Sequence, residues 1–459
     1  MSWLGFRPTF KGGVHPGDEK DLTADRPLER MPDPELLLVP LQQHLGRPAQ
    51  ILVKKGDWVR QGQCLAAAGE GISAAVLAPR AGLVQAVEQG GTASGFPGSL
   101  IVIKPGPPPA QDGTEPFPTE PLDLPPLDPD TVSAGELVAR AREAGLVGQG
   151  GAAFPMAVKL SPPTGTRLDL LIINGCECEP YLTRDYRLML EEPDALLEGA
   201  VLVARALAVP RVVIGVEDNK PRAVEALTEA LTRWEPTAGV RLEILSVRTK
   251  YPQGAEKMLI EAITGRRVPP GKLPMSVGAV VQNVGTALAL REAVVLGRVQ
   301  TEAVLTVSGR GIQRPANLRV PVGTPLADVL DYCGGFLPEA ARLIVGGPMM
   351  GVAQHDLAAP VVKACSGILV LSGEELGADM ESGTCLRCGR CVDACPLQLV
   401  PSRLARLTAL GRAEEARDEG IEVCMECGTC AFACPAHLPL VQWLRLGKQQ
   451  ARSLARSAS

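Results

Sequence analysis

Thirteen cysteines are present, and eight of them stand in two copies of one spacing. The first copy is Cys385-Leu-Arg-Cys388-Gly-Arg-Cys391-Val-Asp-Ala-Cys395-Pro396. The second is Cys424-Met-Glu-Cys427-Gly-Thr-Cys430-Ala-Phe-Ala-Cys434-Pro435. Both read C-x2-C-x2-C-x3-C-P, the bacterial pattern for a pair of 4Fe–4S clusters in which the fourth cysteine of each run ligates the other cluster. Three thiolates at this pitch wrap one face of a cubane, and the proline turns the chain away after the fourth. The spacing predicts one cluster on Cys385, Cys388, Cys391 and Cys434, and another on Cys424, Cys427, Cys430 and Cys395. Paired C-x2-C units also build zinc sites, but zinc takes four ligands per site and has no use for this rhythm written twice. The chemistry implied is transfer of single electrons.

A second signal is Gly148-Gln149-Gly150-Gly151-Ala152-Ala153-Phe154-Pro155, with Lys159 four residues further on. Closely spaced glycines free backbone N–H groups to converge on an anion, and a following helix N-terminus adds its dipole. Lys159 supplies a counter-charge. A third is Asn174-Gly-Cys-Glu177-Cys-Glu179-Pro180, directly after the apolar run Leu170–Ile173. Ligands in open α/β sheets bind outside the carboxyl ends of strands, so Glu177 and Glu179 read as ligand-facing or as a solvated loop. The histidines His15, His44, His355 and His437 show no partner pattern, and no catalytic triad is expected. Cys64, Cys176, Cys178, Cys333 and Cys365 are assigned no metal.

The elements that must position these residues form several modules. Residues 1–30 are an N-terminal segment. Residues 31–105 read as all-β, with short runs Leu36–Val39 and Ile51–Val53 and turn chemistry at Lys55–Gln63. "K-G-D-x-V-x-x-G-Q" followed by "A-P-x-x-G-x-V" resembles the biotinyl/lipoyl barrel-sandwich fold. The hairpin from Ala67 to Ala75 lacks the lysine that would carry a prosthetic group, so an unmodified relative is expected. Residues 106–130 read as a linker, since the stretch from Pro105 through Pro129 holds ten prolines. Residues 131–300 alternate apolar strands (Leu170–Ile173, Val212–Val216) with helical stretches such as Pro221–Trp234, which predicts a Rossmann-like three-layer α/β domain. Residues 301–372 return to β, with Ala303–Val307, Leu318–Val320 and a short helix near Pro325–Leu330, the size of a β-grasp module. Between the cysteine runs the pattern is helical: Ser402 is placed as a cap, Gly411 as a break and Ala413–Asp418 as a second helix. An α-helical ferredoxin domain is therefore expected over 376–445, with a basic, solvated tail over 446–459.

At 459 residues the chain holds three or more domains. A net charge of -5 argues against a nucleic-acid partner. Thiols in cluster spacing point to a reducing compartment. Met1–Arg7 lacks the apolar core of a signal peptide. No window supplies the roughly 18 apolar residues of a membrane span, so a soluble chain able to dock on a membrane complex is expected.

"GLVGQGGAAFPMAVKL" is similar to the flavin loop of the NADH-binding flavoprotein subunit of respiratory complex I. "NGCECEP" is similar to that subunit's N-x-D-E-x-E-P, and "YPQGAEKMLIEAITGR" and "LPMSVGAVVQNVGTALAL" match two segments downstream. With the opening "FKGGVHP", the barrel-sandwich segment, a β-grasp (SLBB-like) segment bearing "GGPMMG" at Gly346–Gly351 and the double cluster motif, the order resembles the C subunit of the Rnf electron-transport complex. The resemblance runs from Phe10 to about Pro439. It implies an FMN held by the glycine loop with NADH stacked on it. Gly148, Gly150, Gly151 and Lys159 would face the FMN phosphate; Asn174, Glu177 and Asn283 would hold the ring and ribityl side; Phe154, Glu179 and Glu256 would lie closest to NADH. The loop arginine of the complex I subunit is Gln149 here, the glycine before phenylalanine is Ala153, and the flavin-side aspartate is Cys176.

The resemblance implies an electron-input subunit on the cytoplasmic face of the inner membrane. NADH delivers two electrons as hydride to FMN, which passes them singly to the two clusters. Its partners are other Rnf subunits, and electrons are exchanged ultimately with ferredoxin while an ion is moved. Arg387 and Arg390 are expected to raise the potential of the first cluster above the second, which has Glu426 instead. Two other readings compete. One is a cobalamin-reductase-like flavoprotein, disfavoured because the cluster motifs follow everything else. The other is a cluster-bearing adaptor with a vestigial flavin pocket.

Overall fold

The structure, a computed structural model, describes residues 7–93, 95–107, 120–234, 239–377 and 382–457. Its centre is a four-stranded parallel sheet in the order Arg241–Val247, Arg211–Glu217, Leu170–Gly175, Ala279–Asn283. The strands read as near-continuous apolar runs because helices cover both faces. Pro193–Ala206 and Val284–Val295 bury Leu197, Val203, Ala287 and Leu290 against one face, and Glu256–Thr264 buries Leu259 and Ile260 against the other.

The barrel-sandwich segment forms a four-stranded sheet (Leu37–Pro40, Gly98–Pro105, Gly82–Gly90, Trp58–Val59) over a three-stranded one (Gln50–Ile51, Cys64–Ala67, Val76–Leu77). The hairpin that would bear a prosthetic lysine is docked. Lys363 Nζ donates to Ala75 O (2.9 Å) and to Gly145 O (2.7 Å), tying three modules at one point. The β-grasp segment is a six-stranded sheet in the order Leu28–Arg30, Ala316–Pro321, Glu302–Ser308, Gly367–Ser372, Ala340–Val345, Val352–Gln354. Its first strand comes from the N-terminal segment and runs parallel to Ala316–Pro321.

Two sequence expectations change here. Residues 108–119 of the proline-rich stretch lie outside the described residues, but the remainder is tied down: Leu124 N donates to Gly297 O and Leu127 N to Val294 O. Ser402 does not cap its helix. Pro401 takes the first helical position of Pro401–Ala409, where its missing N–H costs nothing, and no side chain caps this end. The expected second helix runs over Ala413–Asp418, and the basic tail continues the helix Leu440–Ser457.

The N-terminal segment is a strap across the others. Gly13 N donates to Ala394 O (2.8 Å) beside the cysteine runs, and Val14 pairs with Tyr251 of the α/β domain. Gly12 stands at φ +84, and a Cβ there would meet Cys395 O at 2.9 Å. Only glycine takes this backbone without strain at that approach.

Candidate functional site

The parallel register sets Asn174 beside both Gly215 and Asn283 at the carboxyl ends of the central strands. The glycine loop lies over this edge and is pinned at its flanks. Gly148 N donates to Phe154 O (2.9 Å), and Gln149 N donates to Thr286 Oγ1 (2.9 Å). The buried Arg184 guanidinium donates to the Gln149 carbonyl and to Val304 O (2.9 Å). Between these pins the amides of residues 150–154 donate to no acceptor among the described residues. Gly150 and Gly151 are exposed. Such a row of free N–H groups suits a phosphate. The helix that follows, Met156–Lys159, is one turn long, so its dipole adds less than the sequence suggested. Ala153 stands at φ 49, a left-handed backbone that costs an L-residue with a Cβ roughly 1–2 kcal/mol.

The other sequence-selected residues surround the loop, most with internal partners. Lys159 Nζ pairs with Glu256 Oε1 at 2.8 Å, so the proposed phosphate lysine and the proposed nicotinamide-side glutamate meet across the site. Phe154 is half-buried on the loop. Asn174 Nδ2 donates to Gly254 O (2.8 Å), and its Oδ1 accepts from Cys176 N (3.2 Å). Asn283 caps the helix Val284–Val295 through Gly285 N (2.9 Å) and donates to Asp185 Oδ2 (2.6 Å). Glu177 accepts from Asp185 N (2.8 Å) and Tyr186 N (3.1 Å), the open end of the helix Arg184–Glu191. Glu179 accepts from Met349 N (3.0 Å) and Met350 N (3.1 Å) of the β-grasp module, with Tyr251 Oη at 3.4 Å.

Sequence reasoning missed the charges beneath. Lys20 Nζ, buried, donates to Glu177 O and Glu179 O (both 3.0 Å) and to Leu182 O. Lys220 Nζ donates to Cys176 O (2.6 Å) and pairs with Glu217 Oε2 (3.0 Å), both side chains almost wholly buried. Lys220 followed a strand end three residues after an acid, a visible though weak signal. Lys20 carried none.

Burial pushes the Glu179 carboxyl up to about 7 from 4.5, against the pull of the Met349 and Met350 amides, Lys20 and Tyr251. The folded chain holds this proton more tightly than the unfolded chain. Its contribution to stability is therefore complete below pH 4.5 and lost as pH rises through about 7. Denaturation of wild type and Glu179→Gln from pH 4 to 8 should show the difference moving against wild type as pH rises. A constant difference would contradict a buried, titrating carboxyl.

The cysteine runs fold into a small helical module. One cavity is lined by Cys424, Cys427 and Cys430 of the second run together with Cys395 of the first, and by Leu404, Val441 and Leu444. The Cys430 thiol is pushed up to about 12 by burial and then by Cys427, Cys424 and Cys395, which places those four in one neighbourhood. This is the crossed set that the spacing predicted, and soft thiols in an apolar wall suit a 4Fe–4S cluster. Among the described residues no three thiol, imidazole or carboxylate ligands close on a single ion. Of the other set, Cys391 and Cys434 are buried while Cys385 and Cys388 are exposed. The inner set adjoins the strand-end loop: Cys427 and Ala394 share a buried contact group with Tyr251 and Val14, flanked by Cys178, Met349 and Met425. The charge contrast expected between the clusters is offset. Glu426 pairs with Lys448 (2.6 Å) and Arg445 (3.0 Å) from the C-terminal helix, so its charge is compensated.

Segment by segment, the chain matches known families. Residues 8–106 match the RnfC barrel sandwich hybrid domain, 141–292 the Nuo51 FMN-binding domain, 304–353 the SLBB domain and 379–438 the 4Fe-4S dicluster domain. The C subunit of the proton-translocating ferredoxin:NAD(+) oxidoreductase complex of Clostridium ljungdahlii is 42% identical, over 90% of this chain and 87% of that protein. The C subunit of the ion-translocating oxidoreductase complex of Rhodobacter capsulatus is 44% identical, over 96% and 82%. The C subunit of the Na(+)-translocating ferredoxin:NAD(+) oxidoreductase complex of Acetobacterium woodii is 41% identical, over 86% of each. Among solved structures, a chain of an NAD+-reducing NiFe-hydrogenase in the air-oxidised state shares the fold, with a TM-score of 0.51 at 22% identity over 69% of this chain and 63% of that one. No helix among the described residues is long and apolar enough to cross a membrane.

Proposed function

This chain belongs to the family of C subunits of ion-translocating oxidoreductase complexes, and from that premise we propose that it exchanges electrons between NADH, a bound FMN and its own two clusters. The observation that carries the reading is the packing of Tyr251 with Cys427, flanked by Cys178 and Met349, which joins the strand-end loop beside the flavin-type site to the inner thiol set. The free amides of residues 150–154 and Lys159 hold the phosphate. Asn174, Glu177 and Asn283 fix the strand-end backbone on which the ring rests. Phe154 and Glu256 line the nicotinamide side. Glu179 acts through the Met349–Met350 amides, clamping the strand-end loop to the β-grasp module. FMN, when bound, converts the two-electron chemistry of NADH into the one-electron steps that clusters accept. The inner thiol set, which adjoins the strand-end loop, would hold the cluster nearer the flavin-type site; the outer set, with two exposed thiols, faces outward. In the whole complex the chain sits at the cytoplasmic face of the membrane and connects NADH with ferredoxin through the other subunits. The cobalamin-reductase-like and adaptor readings are not favoured by the matched relatives.

The test is an anaerobic NADH titration of the chain reconstituted with iron, sulfide and FMN. The flavin band should bleach and the broad cluster band should follow. NADH that changes neither, while dithionite bleaches both, would move the nicotinamide site to a partner.

A further inference from the structure

The two cysteine runs fold as a duplicated unit, and the copies match in backbone detail. Arg387 and Glu426, the third residues of each run, stand at φ 54 and 60; Gly389 and Gly428 at 80 and 85; Gln398 and His437, three residues past the fourth cysteines, at 57 and 50. Each glycine opens a short helix, Arg390–Ala394 or Thr429–Phe432. What differs is what the two halves touch. In the inner half, Met425 packs into the buried group with Tyr251 and Val14, and a Cβ on Gly428 would meet Met349 O at 2.9 Å. In the outer half the corresponding Leu386 is 68% exposed, and around Gly389 nothing lies within 4 Å. The inner half is thus docked on the α/β and β-grasp modules through a loop whose twin is bare.

The bare twin differs in charge as well as in cover. Glu426 is neutralised by Lys448 and Arg445, whereas Arg387 and Arg390 are exposed and form no ion pair among the described residues. These two cations flank exposed Cys385 and Cys388 on a chain whose net charge is -5. A local basic rim on an acidic protein orients a partner of opposite sign, while the apolar residue at its centre supplies contact area that excludes water. Electron transfer needs only a small, transient interface, the low end of interface sizes.

We propose that the outer face at Cys385–Arg390 is the docking surface for an acidic one-electron carrier protein, seated on Leu386 and steered by Arg387 and Arg390. Each encounter moves one electron between the outer cluster and the carrier: one centre is oxidised by one, the other reduced by one, and no bond or proton moves. This rests on the outer set holding a cluster, and it does not require NADH to be the electron source.

The test uses the full reconstituted chain, reduced with dithionite and freed of excess, mixed in a stopped-flow instrument with an acidic bacterial two-cluster ferredoxin or with hexaammineruthenium(III). The wild-type rate with ferredoxin should fall steeply as salt rises. The double variant Arg387→Glu/Arg390→Glu should lose at least about tenfold in that rate at low salt and lose the salt dependence. Its rate with the cationic ruthenium complex should hold or rise, which shows an intact and accessible cluster. Acidic substitutions lower a cluster's potential and so favour outward transfer, so a slower rate cannot come from driving force. An unchanged ferredoxin rate with unchanged salt dependence would overturn the proposal. So would sedimentation showing that wild type pairs with a second copy through this face and that the variant does not. Because dithionite supplies the electrons, failure of the NADH titration leaves this test standing.

Discussion

Cys395→Ser should remove the inner cluster and spare the outer one, although Cys395 lies in the first run. Its thiol lines the cavity with Cys424, Cys427 and Cys430, and the other three cysteines of its own run do not. The position is held from outside the module: the strap residue Gly13 bonds the carbonyl of Ala394, and Gly12 packs on the carbonyl of Cys395 itself. Iron content after reconstitution should drop from about eight to about four per chain. The surviving electron paramagnetic resonance signal should be that of the solvent-accessible centre, broadened by an added paramagnetic relaxer. Cys434→Ser should give the mirror result and leave the shielded signal. Loss of the accessible centre in Cys395→Ser would show that each run serves its own cluster.

The second large effect is expected at Lys20. Its ammonium group is buried, pulled below the ordinary lysine range by that burial and by Lys220, and it donates to the carbonyls of Glu177, Glu179 and Leu182. Those residues are the loop that closes the carboxyl edge of the central sheet. Lys20→Met keeps the length and removes the donors. Each buried carbonyl left without a partner costs about 1–3 kcal/mol, so the loop must rearrange. Quenching of flavin fluorescence should report FMN binding weakened by about tenfold to a hundredfold, because each 1.4 kcal/mol is about tenfold. Wild-type FMN affinity in the variant would reduce Lys20 to a merely structural anchor remote from the pocket.

Much of this was legible because it is local. Cluster ligands recur at fixed spacing, so Cys385 to Cys434 announced the cofactor and set out the crossed ligand sets that Cys395→Ser tests. The strands around Leu170–Ile173 and Val212–Val216 were visible as branched apolar runs, since a parallel strand is covered on both faces. The helix Ala413–Asp418 followed from the glycine before it. What stayed hidden is long-range. Lys20 meets its carbonyls about 160 residues away, and nothing in "GDEKDLT" foretells it. Glu426 read as bare charge because Arg445 and Lys448 lie on a helix that the spacing did not connect to it. Asn174, Glu177 and Asn283 were selected as cofactor contacts, and each also has a local task, caps and turn bonds that the same residue types serve. Ser402 failed as a cap because Pro401 was better suited to open the helix.

The central claim is one route, from the flavin-type site to the inner cluster and then outward. Stopped-flow mixing of NADH with the two single-cluster variants tests it most directly. The Cys434→Ser chain, which keeps the inner cluster, should show cluster bleaching as fast as wild type. The Cys395→Ser chain should bleach the flavin band at the wild-type rate and the cluster band far more slowly. Equal cluster bleaching in both variants, or the reverse order, would contradict the route.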